Sequence, residues 1–244
     1  MIHSIFYFTL GIFFIGGFIL HKGNKKEGVS TRQDRWIKYG VYFLIVHLVI
    51  GSAVAGPFYF RILATMIIFI GGCELFQTSR DRKRGRLSRT SSILFWGIYI
   101  SLSCGFFFFS AQADTEMILF VYIVIAVFDG FSQLTGQGIG SRRLAPRISP
   151  NKTVEGAFGG LSAAIITAIL LRSLVKLSIT ESVIVASLLG IAGLAGDLAA
   201  SYFKRLRGMK DFGNILPGHG GVLDRFDGFL AAAPAFFLWN SFIR

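Results

Sequence analysis

Apolar residues in this chain gather into long runs separated by short polar breaks. Runs of roughly 18 or more apolar residues read as membrane spans. Eight qualify, at about 2–20, 39–56, 58–78, 92–110, 117–135, 154–172, 182–200 and 226–243. The first, Ile2 to Leu20, holds no formal charge, no lysine or arginine precedes it, and Gly16-Gly17-Phe18 is a poor cleavage site. It is therefore expected to be a span rather than a removed leader.

The breaks fall into two kinds. Residues 21–38, 79–91, 136–153 and 201–225 together carry 21 of the 25 lysines and arginines. The others are Gly56-Pro57, the stretch Ala111–Glu116 with Asp114 and Glu116, and Leu174–Glu181 with one lysine. Basic and non-basic breaks alternate strictly along the chain. Under the positive-inside rule this predicts all four basic loops in the cytoplasm and both termini outside. Adding or losing one span would break the alternation. The predicted fold is an all-α integral membrane protein of about eight transmembrane helices, a single polytopic domain over 1–244. The N-terminal spans occupy 1–115, and any chemistry is expected in the C-terminal half, 116–244. No internal repeat, low-complexity segment or soluble domain is evident.

Composition supports this. Hydrophobic residues make up 53% and charged residues 16%, against about 25% charged in soluble domains. A formal net charge of +12 would suggest nucleic acid for a soluble protein. Here it marks the basic loops, and no nucleic-acid partner is expected. The 79–91 run is expected to meet anionic lipid headgroups, and 21–38 to be an ordinary solvated loop; neither is assigned chemistry. Cys73 and Cys104 lie in apolar runs and are expected to be buried thiols rather than a disulfide. No Cys/His pattern suggests zinc.

Ionisable groups within spans are costly, and each is a functional candidate. Four are present: Glu74, Asp129, Asp197 and Asp227, all toward the cytoplasmic ends. Glu74 divides evenly between structure and function, because Arg80 and Arg82 are near enough in sequence to neutralise it. His47 has no obvious partner and is read as a packing residue.

The stretch from Ser201 to Asp227 is different in kind. At helical spacing Asp197, Ser201 and Lys204 share one face, with Arg205 close by. Lys210 and Asp211 follow, then the turn Pro217-Gly218-His219-Gly220-Gly221. Glycine there lets backbone N–H groups approach a phosphate closely. Asp224 and Asp227, at i and i+3 with Arg225 between them, can lie on one helix face; with Asp197, three carboxylates can converge. With no sulfur or histidine cluster nearby, oxygen-only ligands suggest Mg²⁺. Any one of these residues could belong to a solvated loop with incidental charges, but the whole constellation fits a polyphosphate–magnesium site.

A second block follows Asp129. Gly136, Gly138 and Gly140 are spaced like a nucleotide loop, weakly so without a preceding strand. Ser149-Pro150-Asn151-Lys152-Thr153-Val154-Glu155-Gly156 equally fits a helix start, with proline in the first turn and an acid at the positive end. Lys152 and Thr153 there would suit phosphate binding.

The two blocks together resemble the phosphatidate cytidylyltransferase (CDP-diacylglycerol synthase) family. The first, from Ser201-Tyr-Phe-Lys204-Arg205 through Lys210-Asp211-Phe-Gly213 and Leu216-Pro217-Gly-His219-Gly220-Gly221 to Asp224-Arg225-Phe-Asp227, is similar to its signature. The second is similar to its Ser-Pro-x-Lys-Thr-x-Glu-Gly run. The resemblance implies a Mg²⁺-dependent reaction of CTP with phosphatidate, giving CDP-diacylglycerol and pyrophosphate. It also implies a homodimer, metal-binding aspartates at Asp197 and Asp224, and a role in phospholipid biosynthesis. On this reading Asp197, Asp224 and Asp227 hold the metal, and Lys204, Arg205, Lys210 and Arg225 neutralise phosphate. Ser149, Lys152 and Thr153 form a second anchor, while Ser201, Asp211, His219, Gly220 and Gly221 complete the substrate contacts. The short loops suit a bacterial inner membrane. The stretch Asp129-Gly130-Phe131-Ser132-Gln133 departs from many members, so a paralogue acting on another lipid phosphate is the alternative. A CDP-alcohol phosphotransferase is disfavoured, because its Asp-Gly-x₂-Ala-Arg motif is missing. A transporter would more naturally carry mid-membrane charge pairs and repeats. A catalytically inactive relative would not need its aspartates intact.

Overall fold

The computed structural model describes residues 2–23, 29–80 and 89–243. Over these the chain forms eight α-helices and one small hairpin: α1 (Ile2–Gly23), α2 (Val29–Ala55), α3 (Pro57–Arg80), α4 (Arg89–Gln112), α5 (Thr115–Ile139), β1 (Arg143–Ala145), β2 (Ser149–Thr153), α6 (Val154–Leu171), α7 (Ile179–Leu206) and α8 (Leu223–Phe242). Each predicted span coincides with a helix. Several run past their apolar cores at the basic end: α2 begins at Val29 and α7 continues to Leu206. Lys38, Ser201 and Lys204 therefore stand on helix rather than loop.

Helices α1 to α7 are long and apolar enough to cross a membrane, and the protein is an all-α integral membrane protein. Phe14, Phe69 and Leu170 are largely exposed, as side chains facing lipid should be. α8 is not among the seven. It is enclosed instead, with Leu223, Asp224, Phe226 and most of Gly228–Phe236 buried against α7, α4, α5 and α3. A helix surrounded by protein needs little lipid-facing apolar surface, so it can carry Asp224, Arg225 and Asp227 in its first turns.

The described parts of the basic segments meet at one end of the bundle. Lys38 lies against Gly218, Arg207 reaches the last turn of α3, Arg205 reaches Ile148 and Lys152 reaches Asp197. At the other end Arg61 Nη2 donates to the Ala111 carbonyl at 2.7 Å and Thr115 Oγ1 to the Ala53 carbonyl at 2.9 Å. This is the two-ended arrangement that the alternating breaks require. The non-basic breaks also hold the helix starts: Asp114 caps α5, and Ser178 with Glu181 forms a capping box on α7. Residues 24–28 and 81–88, which include Lys25, Lys26, Arg82, Lys83, Arg84 and Arg86, lie outside the described residues. So does most of the run expected to meet lipid headgroups.

Small residues set the closest helix contacts, as is usual where lipid offers no hydrophobic drive for association. A Cβ on Gly196 of α7 would fall 2.6 Å from Ala231 Cβ of α8, and one on Gly105 of α4 2.7 Å from Pro234 Cβ. Phenylalanines fill the wider gaps; Phe106 and Phe229 meet edge-on at 5.1 Å. His47 packs among Phe6, Phe13 and Phe43. Both cysteines are free, but Cys73 is half-buried and Cys104 exposed, which corrects the expectation of buried thiols. An apolar run in a membrane helix does not distinguish a lipid-facing position from a core one.

Candidate active site

Between α7, α8, the hairpin and parts of α2, α5 and α6 lies a cavity of about 990 Å³. Four carboxylates line it: Asp129 from α5, Asp197 from α7, and Asp224 and Asp227 from α8. Arg143 from β1, Lys152 from β2, Lys204 from α7, Arg225 from α8 and His219 from the preceding turn add the cations and the imidazole. Ile45, Ile125 and Phe229 form an apolar wall.

Asp197 and Ser201 sit one turn apart, and Ser201 Oγ donates to Asp197 Oδ1 at 3.2 Å. Lys152 Nζ stands 2.5 Å from Asp197 Oδ2, with the two side chains still 24% and 30% exposed. Asp224 contrasts with this. Its side chain is 1% exposed and takes Lys204 Nζ on Oδ1 at 2.7 Å. Its Oδ2 accepts the N–H groups of Phe212 and Gly221, each at 2.8 Å. Asp227 Oδ1 accepts from the Gly228 N–H at 2.8 Å. The charges of Lys152, Asp197 and Arg225 all reach Asp129. Among the described residues no three His, Cys, Asp or Glu side chains are gathered closely enough to hold one metal ion. The expected convergence of Asp197, Asp224 and Asp227 is therefore a shared cavity rather than a ready-made triad, because Asp224 is turned to protein donors.

Part of the Pro217–Gly221 turn is taken up by the protein's own groups. The Gly221 N–H donates to Asp224, and the next two, Val222 and Leu223, donate to Glu74 Oε1 and Oε2 at 2.9 and 2.8 Å. The N–H of His219 bonds to the Leu216 carbonyl. A Cβ on Gly221 would stand 2.5 Å from Glu74 Oε1. One on Gly220, where φ is +84°, would stand 2.9 Å from Asp224 Oδ2. These glycines make room for the protein's own carboxylates. Glu74 is thereby explained: it is 3% exposed and lies at the positive end of α8. Arg80, one of its expected neutralisers, lies over the Phe76 ring, and Arg82 is outside the described residues. On the other side of the loop Arg207 Nη2 donates to the Thr78 carbonyl at 2.6 Å, in the last turn of α3.

Several of the expected contacts do not line the cavity. Arg205 Nε donates to the Ile148 carbonyl at 3.0 Å and Nη1 to the Met209 carbonyl at 3.2 Å, tying the hairpin to α7. Ser149 pairs with Ala145 in the hairpin, Asp211 packs beside Gly220, and Lys210 is exposed. Helix α6 begins at Val154 and not at Pro150. Ser149–Thr153 is a strand, and the Pro150 carbonyl accepts from Arg143 Nη1 at 2.7 Å. Thr153 lines the cavity but is buried, its hydroxyl capping α6 by accepting the Gly156 N–H at 3.0 Å. Glu155 accepts from Ser141 and Arg142, which closes the turn leading into the hairpin. Gly136 and Gly140 belong to the end of α5 and face Thr153, while Gly138 faces open space. Their nucleotide-loop spacing is therefore helix packing.

The N-terminal half adds residues that the sequence reading passed over. Tyr42 of α2 lines the cavity, within reach of the Asp129 charge. Lys38 stands one turn earlier, its stem 2.9 Å from where a Gly218 Cβ would lie. The 21–38 stretch thus ends as helix against the site rather than as a solvated loop. Their signal was faint: Lys38 and Tyr42 lie one helical turn apart where a basic break passes into a span. Burial, and then the charges of Arg225 and Lys38, hold the His219 imidazole below its ordinary value.

Residues 2–243 match the cytidylyltransferase family. The chain is similar to the phosphatidate cytidylyltransferase of Brucella abortus biovar 1 (strain 9-941), at 38% identity over 180 residues, 73% of this chain and 66% of that protein. It is 34% identical to the phosphatidate cytidylyltransferase of Staphylococcus aureus (strain COL) over 182 residues, 74% of this chain and 70% of that protein. Against the phosphatidate cytidylyltransferase of Staphylococcus haemolyticus (strain JCSC1435) identity is 40% over 138 residues, 56% of this chain and 53% of that protein. The matched segments span between about half and 70% of these relatives' lengths.

Proposed function

Since this chain belongs to the cytidylyltransferase family, we propose that it is a membrane nucleotidyltransferase that joins the cytidylyl group of CTP to phosphatidate. The products are CDP-diacylglycerol and pyrophosphate. The observation that carries this reading is the cavity itself, in which Asp129, Asp197 and Asp227 stand beside Lys152, Lys204 and Arg225 over an apolar wall. A triphosphate calls for the cations, and a diacyl lipid calls for the apolar wall within a membrane bundle. The names of the relatives support the same reading.

A phosphate oxygen of the lipid attacks the α-phosphorus of CTP. The new O–P bond forms as the bond to the β-phosphate oxygen breaks, and the electron pair leaves on pyrophosphate. A phosphate monoester is already a competent nucleophile, so no covalent enzyme intermediate is needed. Catalysis rests on positioning and charge neutralisation. Lys152 and Arg225 offer charge to the phosphates. An arriving phosphate competes for Lys152 and releases the Asp197 carboxylate, an exchange open to a partly exposed pair. Lys204 is held in place by Asp224.

The donor set fits a hard divalent cation, since the carboxylates of the cavity are oxygen ligands with no thiolate among them. Asp197 and Asp227 would hold Mg²⁺, with Asp129 adding negative charge beside them. When bound, the metal would neutralise the triphosphate. The basic end of the bundle is assigned to the cytoplasm, where CTP is available, and the membrane to a bacterial inner membrane.

The test uses purified protein in detergent, labelled CTP, Mg²⁺ and a panel of lipid phosphates. Pyrophosphate release with a CDP-lipid product from phosphatidate is the expected result. Product from a different lipid phosphate alone would make the chain a paralogue. No product from any of them would overturn the enzyme reading, and CTP-independent flux in liposomes would then favour a transporter.

A further inference from the structure

We infer that Glu74, in the N-terminal half, is the positioning residue that fixes the start of α8 and with it the cavity-facing Arg225 and Asp227. A buried carboxylate is costly unless its oxygens are fully satisfied. Glu74 is 3% exposed and takes the Val222 and Leu223 N–H groups at 2.9 and 2.8 Å. These are the leading amides of α8, where a negative charge is favoured by the unpaired donors and the helix dipole. The adjoining Gly221 N–H goes to Asp224 at 2.8 Å. Two acids therefore divide three successive amides, Asp224 from within α8 and Glu74 from α3.

The loop is shaped around this carboxylate. A Cβ on Gly213 would stand 3.0 Å from Glu74 Oε1, and one on Gly221 2.5 Å from the same atom. One turn further along α3, the Thr78 carbonyl receives Arg207. The end of α3 thus grips the loop at its start and at its finish. Asp224, Arg225 and Asp227 all fall within the first five residues of α8. The height and rotation of that end decide where they face. A misplacement of about 1 Å can cost on the order of 100-fold in rate.

The kinetic part of this inference rests on the cytidylyltransferase reading; the structural part does not. The experiment compares wild type, Glu74→Ala and Glu74→Gln, with Arg61→Ala as a control. Arg61 holds the Ala111 carbonyl at the opposite end of the bundle. For each protein, kcat, KM for CTP and the Mg²⁺ concentration giving half-maximal rate are measured per folded molecule. Hydrogen exchange is followed in the peptide covering Gly221–Leu223. Glu74→Ala should lower kcat by about 10- to 100-fold, raise the Mg²⁺ requirement and speed exchange in that peptide. Glu74→Gln should recover part of kcat, because its carbonyl still accepts one of the two N–H groups. Arg61→Ala should lower the unfolding midpoint and leave kcat unchanged. Should Glu74→Ala not fold, the Gln variant carries the comparison. If the alanine variant keeps wild-type kcat and Mg²⁺ dependence and behaves like Arg61→Ala, Glu74 is structural only and the inference is overturned. If wild type has no CTP-dependent turnover, the proposed function fails, and the exchange measurement alone decides whether Glu74 holds α8.

Discussion

Asp197 and Asp224 line the same cavity and each meets a lysine, yet they occupy opposite physical regimes. Asp224 is closed off, with three protein donors on its two oxygens and 1% of its side chain exposed. Asp197 is open, with a partly exposed Lys152 and one serine hydroxyl as partners. Asp224 has its donors supplied by the fold. Asp197 has a partly exposed partner that an arriving ligand could displace. The sequence places Asp197 one turn before Ser201, at the edge of the polar stretch that holds Asp224, and burial and donor set separate the two.

The sharpest way to break this contrast is to neutralise each acid in turn. Asp224→Asn leaves Lys204 buried beside an amide, and removing one partner of a buried pair costs about 3–5 kcal/mol. Its unfolding midpoint in detergent should fall steeply, and turnover should be lost with it. Asp197→Asn should lose turnover by at least about 100-fold, as expected for a group acting on the reacting phosphates. Its stability should stay within about 1 kcal/mol of wild type, because partly exposed pairs contribute little. Equal stability losses in the two variants would erase the distinction between a closed and an open aspartate.

Next in size come the glycines. Gly221→Ala pushes a methyl against the buried Glu74 carboxylate and should cost about 1–3 kcal/mol, as overpacking does. Gly138→Ala meets open space on a helix and should be neutral or stabilising by up to about 1 kcal/mol. Thermal unfolding of both variants measures this. A raised KM for CTP in Gly138→Ala with unchanged stability would restore the nucleotide-loop reading of Gly136–Gly140 that the structure replaces with helix packing.

These cases mark what could be read along the chain. The spans and their alternation were legible because a bilayer imposes a one-dimensional rule on apolar length and basic charge. The Asp197–Ser201 contact was legible because helical spacing fixes it locally. The Glu74 contact was not, because its partners Val222 and Leu223 lie 148 and 149 positions away. A glycine turn looks the same whether it admits a phosphate or the protein's own carboxylate. Likewise Ser-Pro followed by polar residues starts a helix as readily as it fills an edge strand. Here the pairing of Arg143 with Thr153, and the Thr153 cap, decide for the strand.

The smallest expected effect lies at His219, between the two regimes. Burial first, and then the positive charges of Arg225 and Lys38, hold its pKa below the ordinary value of about 6.5. The fold therefore favours the neutral ring. The stability this contributes is fully present above the unfolded-state value and is lost as pH falls through the lower folded-state value. Unfolding midpoints of wild type and His219→Asn, compared between about pH 7 and pH 5, should show the steeper decline in wild type. A bound polyphosphate would bring negative charge to the same rim and raise the pKa, so the difference should shrink when CTP is present. Parallel declines with and without CTP would detach His219 from the charged mouth of the cavity and leave Lys152 and Arg225 as its phosphate-facing groups.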